Sequence, residues 1–209
     1  LAAVAVLIAS NLLGVRYYRL HTPKEEWDLA AAHVAGCARA GDLIVLSGEM
    51  GAGKTAVGRQ LARSLHMAFV DSDAEIEKRT GVDIPFIFEK EGEEGFRRRE
   101  STVIQDLSRL ESVVMATGGG AILDPENRAA LTSRGTVIYL HASVGQQLAR
   151  TRLSDNRPLL HTDDPAGRLE GLMAVREPLY RKMADLVVDT DGRKVKEVAR
   201  DILRLLEQE

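Results

Sequence analysis

Cysteine is almost missing from these 209 residues. Cys37 is the only one, which excludes an internal disulfide and a multi-cysteine zinc site and makes a reducing, cytoplasmic setting the expectation. The five histidines form no His-x-x-x-His pair, so the usual zinc-hydrolase pattern is absent as well. Aromatic residues are 4% of the chain, too few for stacking platforms on single-stranded nucleic acid. Positive charge is not in excess: Lys+Arg 28 against Asp+Glu 31 gives a formal net charge of -3, the reverse of a broad nucleic-acid surface. Long hydrophobic runs are lacking too. Leu1–Val15 is broken by Ser10, Asn11 and Gly14, falls short of the ~18–20 residues that span a bilayer, and has no basic stretch ahead of it. Neither a nucleic acid nor a membrane is an expected partner.

What is present is 44% hydrophobic and 28% charged residues, the balance of a globule with a real core, at a length that suits one α/β domain. Residues 1–41 stand apart as an extension of unknown role. They read first as an accessory helix, with a membrane anchor or a targeting segment as the alternatives, then a break at Pro23 and an Ala-rich helix over Glu25–Arg39, with no recognisable chemistry. The domain proper is 42–209, and it is expected to fold and work without the extension. Within it, Leu43–Leu46, Ala68–Val70, Ser112–Ala116, Thr136–Leu140 and Leu186–Val188 are short apolar runs separated by helical periods. The region from Ala74 to Leu110 is helical with breaks near Gly81 and Pro85. Apolar strands alternating with helices predict an α/β fold in three layers, a five-stranded parallel sheet flanked by helices.

The run Gly48-Glu49-Met50-Gly51-Ala52-Gly53-Lys54-Thr55 fits G-x-x-x-x-G-K-[ST] and lies between a strand and a helix, the context that motif requires. Its glycines let backbone N–H groups turn inward at a helix N-terminus, where phosphate oxygens bind. Lys54 adds a point charge and the Thr55 hydroxyl a ligand for Mg2+. A nucleoside triphosphate ligand follows, though switches, motors and kinases all use such a loop. Switches and motors commonly hold Mg2+ with an acid at the end of an apolar strand. The strand Val113–Ala116 ends instead in Thr117-Gly118-Gly119-Gly120. That turn either offers backbone N–H groups to a ligand or is a plain tight turn.

Asp71-Ser72-Asp73 follows the second strand directly. An aspartate there either orders Mg2+ or takes a hydroxyl proton, or it caps the next helix. Arg97, Arg98 and Arg99 sit about 100° apart on a helix, so at most two face a common pocket. Phe96 and Glu100 share one face and place Arg97 beside a packed edge. Arg176 precedes Pro178, where a helix end is expected. Two arginines meeting one carboxylate would make a bidentate clamp for a small acid. Thr151–Pro165 is polar and rich in breakers, the mark of a lid loop, and Arg157 at its centre is placed to close over phosphates.

From about Leu43 to its end the chain resembles the shikimate kinases. The resemblance rests on the phosphate loop, Asp71-Ser72-Asp73, Gly92-Glu93-Glu94-Gly95-Phe96-Arg97, Gly118-Gly119-Gly120, Arg157-Pro158-Leu159-Leu160 and Pro178-Leu179-Tyr180, in that order. It implies a nucleoside-monophosphate-kinase-like P-loop fold, a monomer, and transfer of the ATP γ-phosphoryl to the 3-hydroxyl of shikimate. It implies further that Gly51, Ala52, Gly53, Lys54, Thr55 and Ala56 bind ATP, that Thr55 and Asp71 serve Mg2+, and that Arg150 and Arg193 neighbour the adenine. Asp73 would hold the acceptor hydroxyls and act as base, Arg97 and Arg176 would grip its carboxylate beside Gly118, Gly119 and Gly120, and Arg157 would be the lid arginine, with Lys54, Asp73 and Arg157 as the catalytic set.

Two positions depart from that pattern. Ala56 stands where the family often has a threonine, a loss of about 0.5–1.5 kcal/mol of hydrogen bonding to ATP. Glu49 puts a carboxylate in the phosphate loop, harmless if it points outward and repelling ATP if inward. The competing readings are a gluconate or nucleotide kinase on the same fold and a catalytically silent binding protein. The silent reading would require loss of Lys54, Asp73 or Arg97, all of which are present.

Overall fold

A computed structural model of the chain describes residues 16–17, 42–151 and 164–207. The strands are β1 (Arg16–Tyr17), β2 (Leu43–Gly48), β3 (Ala68–Asp71), β4 (Val113–Ala116), β5 (Gly135–His141) and β6 (Leu186–Asp189). They form one sheet in the order β1-β6-β5-β2-β4-β3, and every pairing is parallel. The five expected strands are all there. The addition is β1, a two-residue edge strand from the extension, which pairs Arg16 with Leu186 and Tyr17 with Val187. The rest of the extension, Cys37 included, lies outside the described residues.

Strand geometry explains the layers. Successive side chains point to opposite faces. Leu43 and Val45 therefore join one core with Ile104, Met115, Tyr139 and Tyr180, while Ile44 and Leu46 join the other with Leu61, Val114, Ile138 and Ile202. Helices cover both: α1 (Lys54–Leu65) and α7 (Val195–Leu206) pack together on the second face. The first is covered by α2 (Ser72–Thr80), α3 (Ile84–Leu107), α4 (Pro125–Thr132) and α6 (Pro165–Met183), with α5 (Val144–Thr151) completing the set. In α1, Val57, Leu61 and Leu65 recur every four residues on the buried side; in α7, Val198, Ile202 and Leu205 recur at spacings of four and three.

Aspartates start most helices on the sheet's first face. Asp83 accepts from Phe86 N at 2.9 Å, with Pro85 in the first turn where a missing N–H costs nothing, and Asp124 accepts from Glu126 N at 2.7 Å. Gly81 closes α2 in the left-handed region, φ 71°, as the sequence suggests. Two details differ from expectation. α3 is interrupted at Gly92, φ 68° and ψ -176°, a break that lets Arg97 and Glu100 be aimed independently of the first segment. α6 runs through Pro178 to Met183 instead of ending there. The proline removes one backbone hydrogen bond, but Tyr180 and Met183 beyond it are buried, and their packing carries the helix on.

Because all strands are parallel, the loops after β2, β3, β4 and β6 emerge on one rim. The chain turns toward β4 and β3 on one side of β2 and toward β5 and β6 on the other. Open α/β sheets bind ligands at such a switch point.

Candidate active site

A cavity of about 790 Å³ opens at that rim. The phosphate loop, the start of α2, the α3 segment around Arg97, the triple glycine and Arg176 all line it. On the phosphate side, Gly51 and Gly53 hold φ 78° and 86°, the left-handed region that favours glycine. No side chain caps α1, so its first-turn N–H groups remain available to an anion. Lys54 Nζ donates to Gly48 O at 2.9 Å and Glu49 O at 2.8 Å, folding over the loop it belongs to. Thr55 Oγ1 donates to Asp71 Oδ2 at 2.8 Å, while Asp71 Oδ1 accepts from Asp73 N at 3.1 Å. Asp71 therefore caps α2 through one oxygen and accepts from Thr55 through the other. Hydroxyl and carboxylate oxygens at this edge are the hard donor set that Mg2+ prefers.

Asp73 stands between the two halves. Burial, then the charges of Asp71 and Glu100, push its carboxyl up to about 6, and Oδ1 has no hydrogen-bond partner. On the acceptor side, Arg97 is 23% exposed; Nη1 donates to Glu100 Oε2 at 2.6 Å and Nη2 to Glu93 Oε1 at 3.0 Å. Its neighbours turn away, Arg98 to Glu94 and Arg99 to Glu91, both on the exposed surface. Arg176 is 6% exposed, its Nε has no partner, and burial followed by the charge of Arg97 holds its guanidinium below the ordinary range. Among the described residues no carboxylate is in salt-bridge contact with Arg176, although the charges of Glu93 and Glu100 act on it, and a buried cation so placed is costly unless an anion arrives.

Two of the three glycines after β4, Gly118 and Gly120, are explained by close approach. A Cβ at Gly118 would lie 2.6 Å from Asp73 Oδ1 and 2.7 Å from Glu100 Oε1, and one at Gly120 would run into the Arg97 guanidinium. Gly119 faces Gly48 O, Tyr180 and Arg176. None of the three has positive φ, and the Gly118 N–H is already given to Ser72 Oγ at 3.0 Å. The turn makes room for functional side chains; at Gly118 the N–H is committed inside the protein, not offered to a ligand.

Other expected residues fall elsewhere. Ala56 lines the cavity, whereas Ala52 is buried and its N–H closes a turn on Glu49 O at 3.3 Å. Arg150 donates to Gly51 O at 2.9 Å and to Thr190 O at 2.7 Å, tying the phosphate loop to the end of β6. Arg193 is committed to Asp201, Asp189 O and Glu197 O and does not line the cavity. Arg157 and the lid expectation lie outside the described residues. Glu49 points inward: it is 4% exposed and its Oε1 accepts from the Tyr139 hydroxyl. Glu100, Ser72 and Tyr180 had no assigned role in the sequence. Glu100 alone left a trace there, an acid on the apolar face of Phe96, Val103 and Leu107, where burial demands a cation.

A phosphate loop serves many proteins, but buried Arg176 and half-buried Arg97 across the cavity, with Thr117 where a magnesium-binding acid would end β4, put this chain among the P-loop kinases of small molecules. The family model described as shikimate kinase matches residues 50–207. A second, described as threonylcarbamoyl adenosine biosynthesis protein TsaE, matches only 20–74, a stretch that includes the phosphate loop. A shikimate kinase of Thioalkalivibrio sulfidiphilus is 57% identical over 161 residues, 77% of this chain and 85% of the relative. The solved shikimate kinase from Acinetobacter baumannii, in complex with shikimate, superposes with a TM-score of 0.80 at 45% identity, covering 84% of this chain and 97% of that one. A gluconokinase from Sinorhizobium meliloti, 17% identical with TM-score 0.53 over 81% of this chain and 94% of its own, shares the fold alone. The chain belongs to the shikimate kinase family. It is a kinase, a phosphotransferase of the shikimate pathway.

Proposed function

We propose that the cavity seats ATP on the phosphate loop and shikimate between Asp73 and the two arginines, and that the γ-phosphoryl passes to the acceptor's 3-hydroxyl. The observation that carries this reading is Arg176, a buried guanidinium with an unpartnered Nε lining the same cavity as Arg97. Two cations suit one carboxylate; a phosphorylated acceptor would call for more.

The phosphoryl transition state is loose, so positioning and charge stabilisation outweigh proton abstraction. Lys54, already over the loop, would move its ammonium onto phosphate oxygens. Asp73 would orient the acceptor hydroxyl and take its proton, a role that an ionised carboxylate near neutral pH can fill. Thr55 and Asp71 would hold Mg2+, which when bound neutralises charge on the outer phosphates. Arg150 would keep the loop at its height beside the nucleotide, and Arg157 would close over the transferring group. The chain would act as a cytoplasmic monomer on a small molecule, without nucleic acid or membrane. The single cysteine and the net charge of -3 support this, and among the described residues no helix is long and apolar enough to cross a membrane.

An ADP-release assay offered shikimate, gluconate and nucleoside monophosphates tests the reading. Turnover with shikimate at least a hundredfold above the others is expected; equal or greater turnover with gluconate would refute it.

A further inference from the structure

Glu49 sits inside the phosphate loop yet reaches down, away from the cavity, into the end of the sheet. Its carboxyl is almost wholly buried; Oε1 accepts from the Tyr139 hydroxyl and Oε2 has no partner. The Tyr139 ring stacks on Tyr180, centroids 4.9 Å apart and 12° from parallel. The Tyr180 hydroxyl donates to Gly48 O at 3.0 Å or Gly119 O at 2.6 Å, lying between the loop of one substrate and the turn of the other. The phosphate loop thus rests on a buried column of Glu49, Tyr139 and Tyr180.

We propose that Glu49 is a positioning residue of the phosphate loop and supports triphosphate binding in its protonated form only. This rests on the reading of the loop as the ATP site. A neutral carboxyl accepts from Tyr139 without placing charge under the loop. An ionised one puts a negative charge beneath a bound polyanion, in surroundings too dry to screen it. The groups facing it are Tyr139 and His141 from β5, Tyr180 from α6 and Lys54 from α1; Glu177 and Arg181 lie near the far side of Tyr139. The Tyr139 hydroxyl and the loop's own backbone N–H favour the ionised form by hydrogen bonding; of the charges, only Lys54 and a protonated His141 would do so, and Lys54 is drawn to the phosphates when ATP binds. Burial already lifts the carboxyl above its ordinary range. A bound triphosphate lifts it further, so binding and proton uptake are linked.

The test is the affinity of the full chain for a nonhydrolysable ATP analogue as a function of pH, in the wild type, Glu49→Gln and Glu49→Ala. Glutamine copies the neutral carboxyl. The expected result is that the affinities of wild type and Glu49→Gln converge toward low pH, where the carboxyl is protonated, and that the glutamine variant becomes about three- to tenfold tighter as pH rises and the carboxyl ionises. Glu49→Ala strands the Tyr139 hydroxyl and should weaken binding several-fold at low pH, the difference from wild type narrowing as pH rises, while kcat at saturating ATP holds. Tyr139→Phe, which leaves the loop sequence intact, should move the pH-dependent loss to higher pH by removing the donor that favours the ionised carboxylate. Parallel pH profiles for wild type and Glu49→Gln would overturn the proposal, as would unchanged affinity in Glu49→Ala. A wild type that bound the analogue at no pH would overturn the ATP reading along with it.

Discussion

Asp73 and Glu100 converge on Gly118 from different helices, so closely that a single methyl group there would lie 2.6 Å from one carboxylate and 2.7 Å from the other. The geometry joins the acid that faces the phosphates to the acid that holds Arg97. Both halves of the site therefore depend on a residue with no side chain. Gly118→Ala should force the acids apart and cut kcat/KM for shikimate more than tenfold, with the KM for ATP changed far less. Steady-state kinetics with each substrate varied in turn decide it, and a melt within a few degrees of wild type shows that the fold survives.

The two carboxylates also repel each other. Asp73, held up at about 6, is easier to protonate in the folded chain than in the unfolded one, where 3.8 is the ordinary value. Its ionisation therefore costs stability in full above about pH 6, and that cost shrinks as pH falls from about 6 toward 3.8, below which it is gone. Asp73→Asn should stabilise the protein at neutral pH by on the order of 1–2 kcal/mol, while lowering kcat severely. Denaturant melts at about pH 7.5 and pH 5 separate the effects: the gain should be present at the first and shrink at the second.

For the same reason, kcat should fall as pH drops through about 6, because a protonated Asp73 can no longer take the hydroxyl proton. A pH–rate profile measured with both substrates saturating would show this limb in the wild type.

Arg97 and Arg98 are neighbours in sequence with opposite fates. Arg97→Ala removes a cavity cation and leaves the buried Glu100 unpaired, so the KM for shikimate should rise at least tenfold. Arg98→Ala breaks only an exposed pair with Glu94 and should change stability by less than about 0.5 kcal/mol and leave the kinetics alone. Kinetics on the two alanine variants side by side check the face assignment.

How far the sequence could be read depended on the range of the interactions. The β2 and β4 runs are apolar on both faces because both are covered, and a continuous apolar run is visible without a partner. The phosphate loop was legible because its glycines, lysine and threonine act within eight positions. Arg97 was legible through its helix face. Arg176 was legible as the second half of the clamp, but its burial within a continuing helix was not, because the adjoining Pro178 signalled a helix end that the packing of Tyr180 and Met183 overrides. The direction of Glu49 could not be read at all: it is decided by Tyr139, 90 positions away, and Tyr180 reaches Gly48 across 132. The break at Gly92 and the edge strand Arg16–Tyr17 answer to tertiary fit in the same way.

The extension contributes only that two-residue strand among the described residues. Deleting residues 1–40 should leave a folded, active kinase with a slightly lower melting temperature, the cost of uncovering the β6 edge. Thermal melts and a specific-activity assay on the truncated protein test it, and an insoluble or inert product would make the extension integral.

The claim on which the account turns is that Arg176 and Arg97 wait for one carboxylate. The direct measurement is binding of shikimate and of its uncharged methyl ester to wild type and Arg176→Lys, by titration calorimetry with a nonhydrolysable ATP analogue present. The account predicts that the wild type prefers the acid by about a hundredfold or more, and that lysine, a point charge in place of a planar fork, erases most of that preference. Equal affinity of the wild type for acid and ester would contradict it.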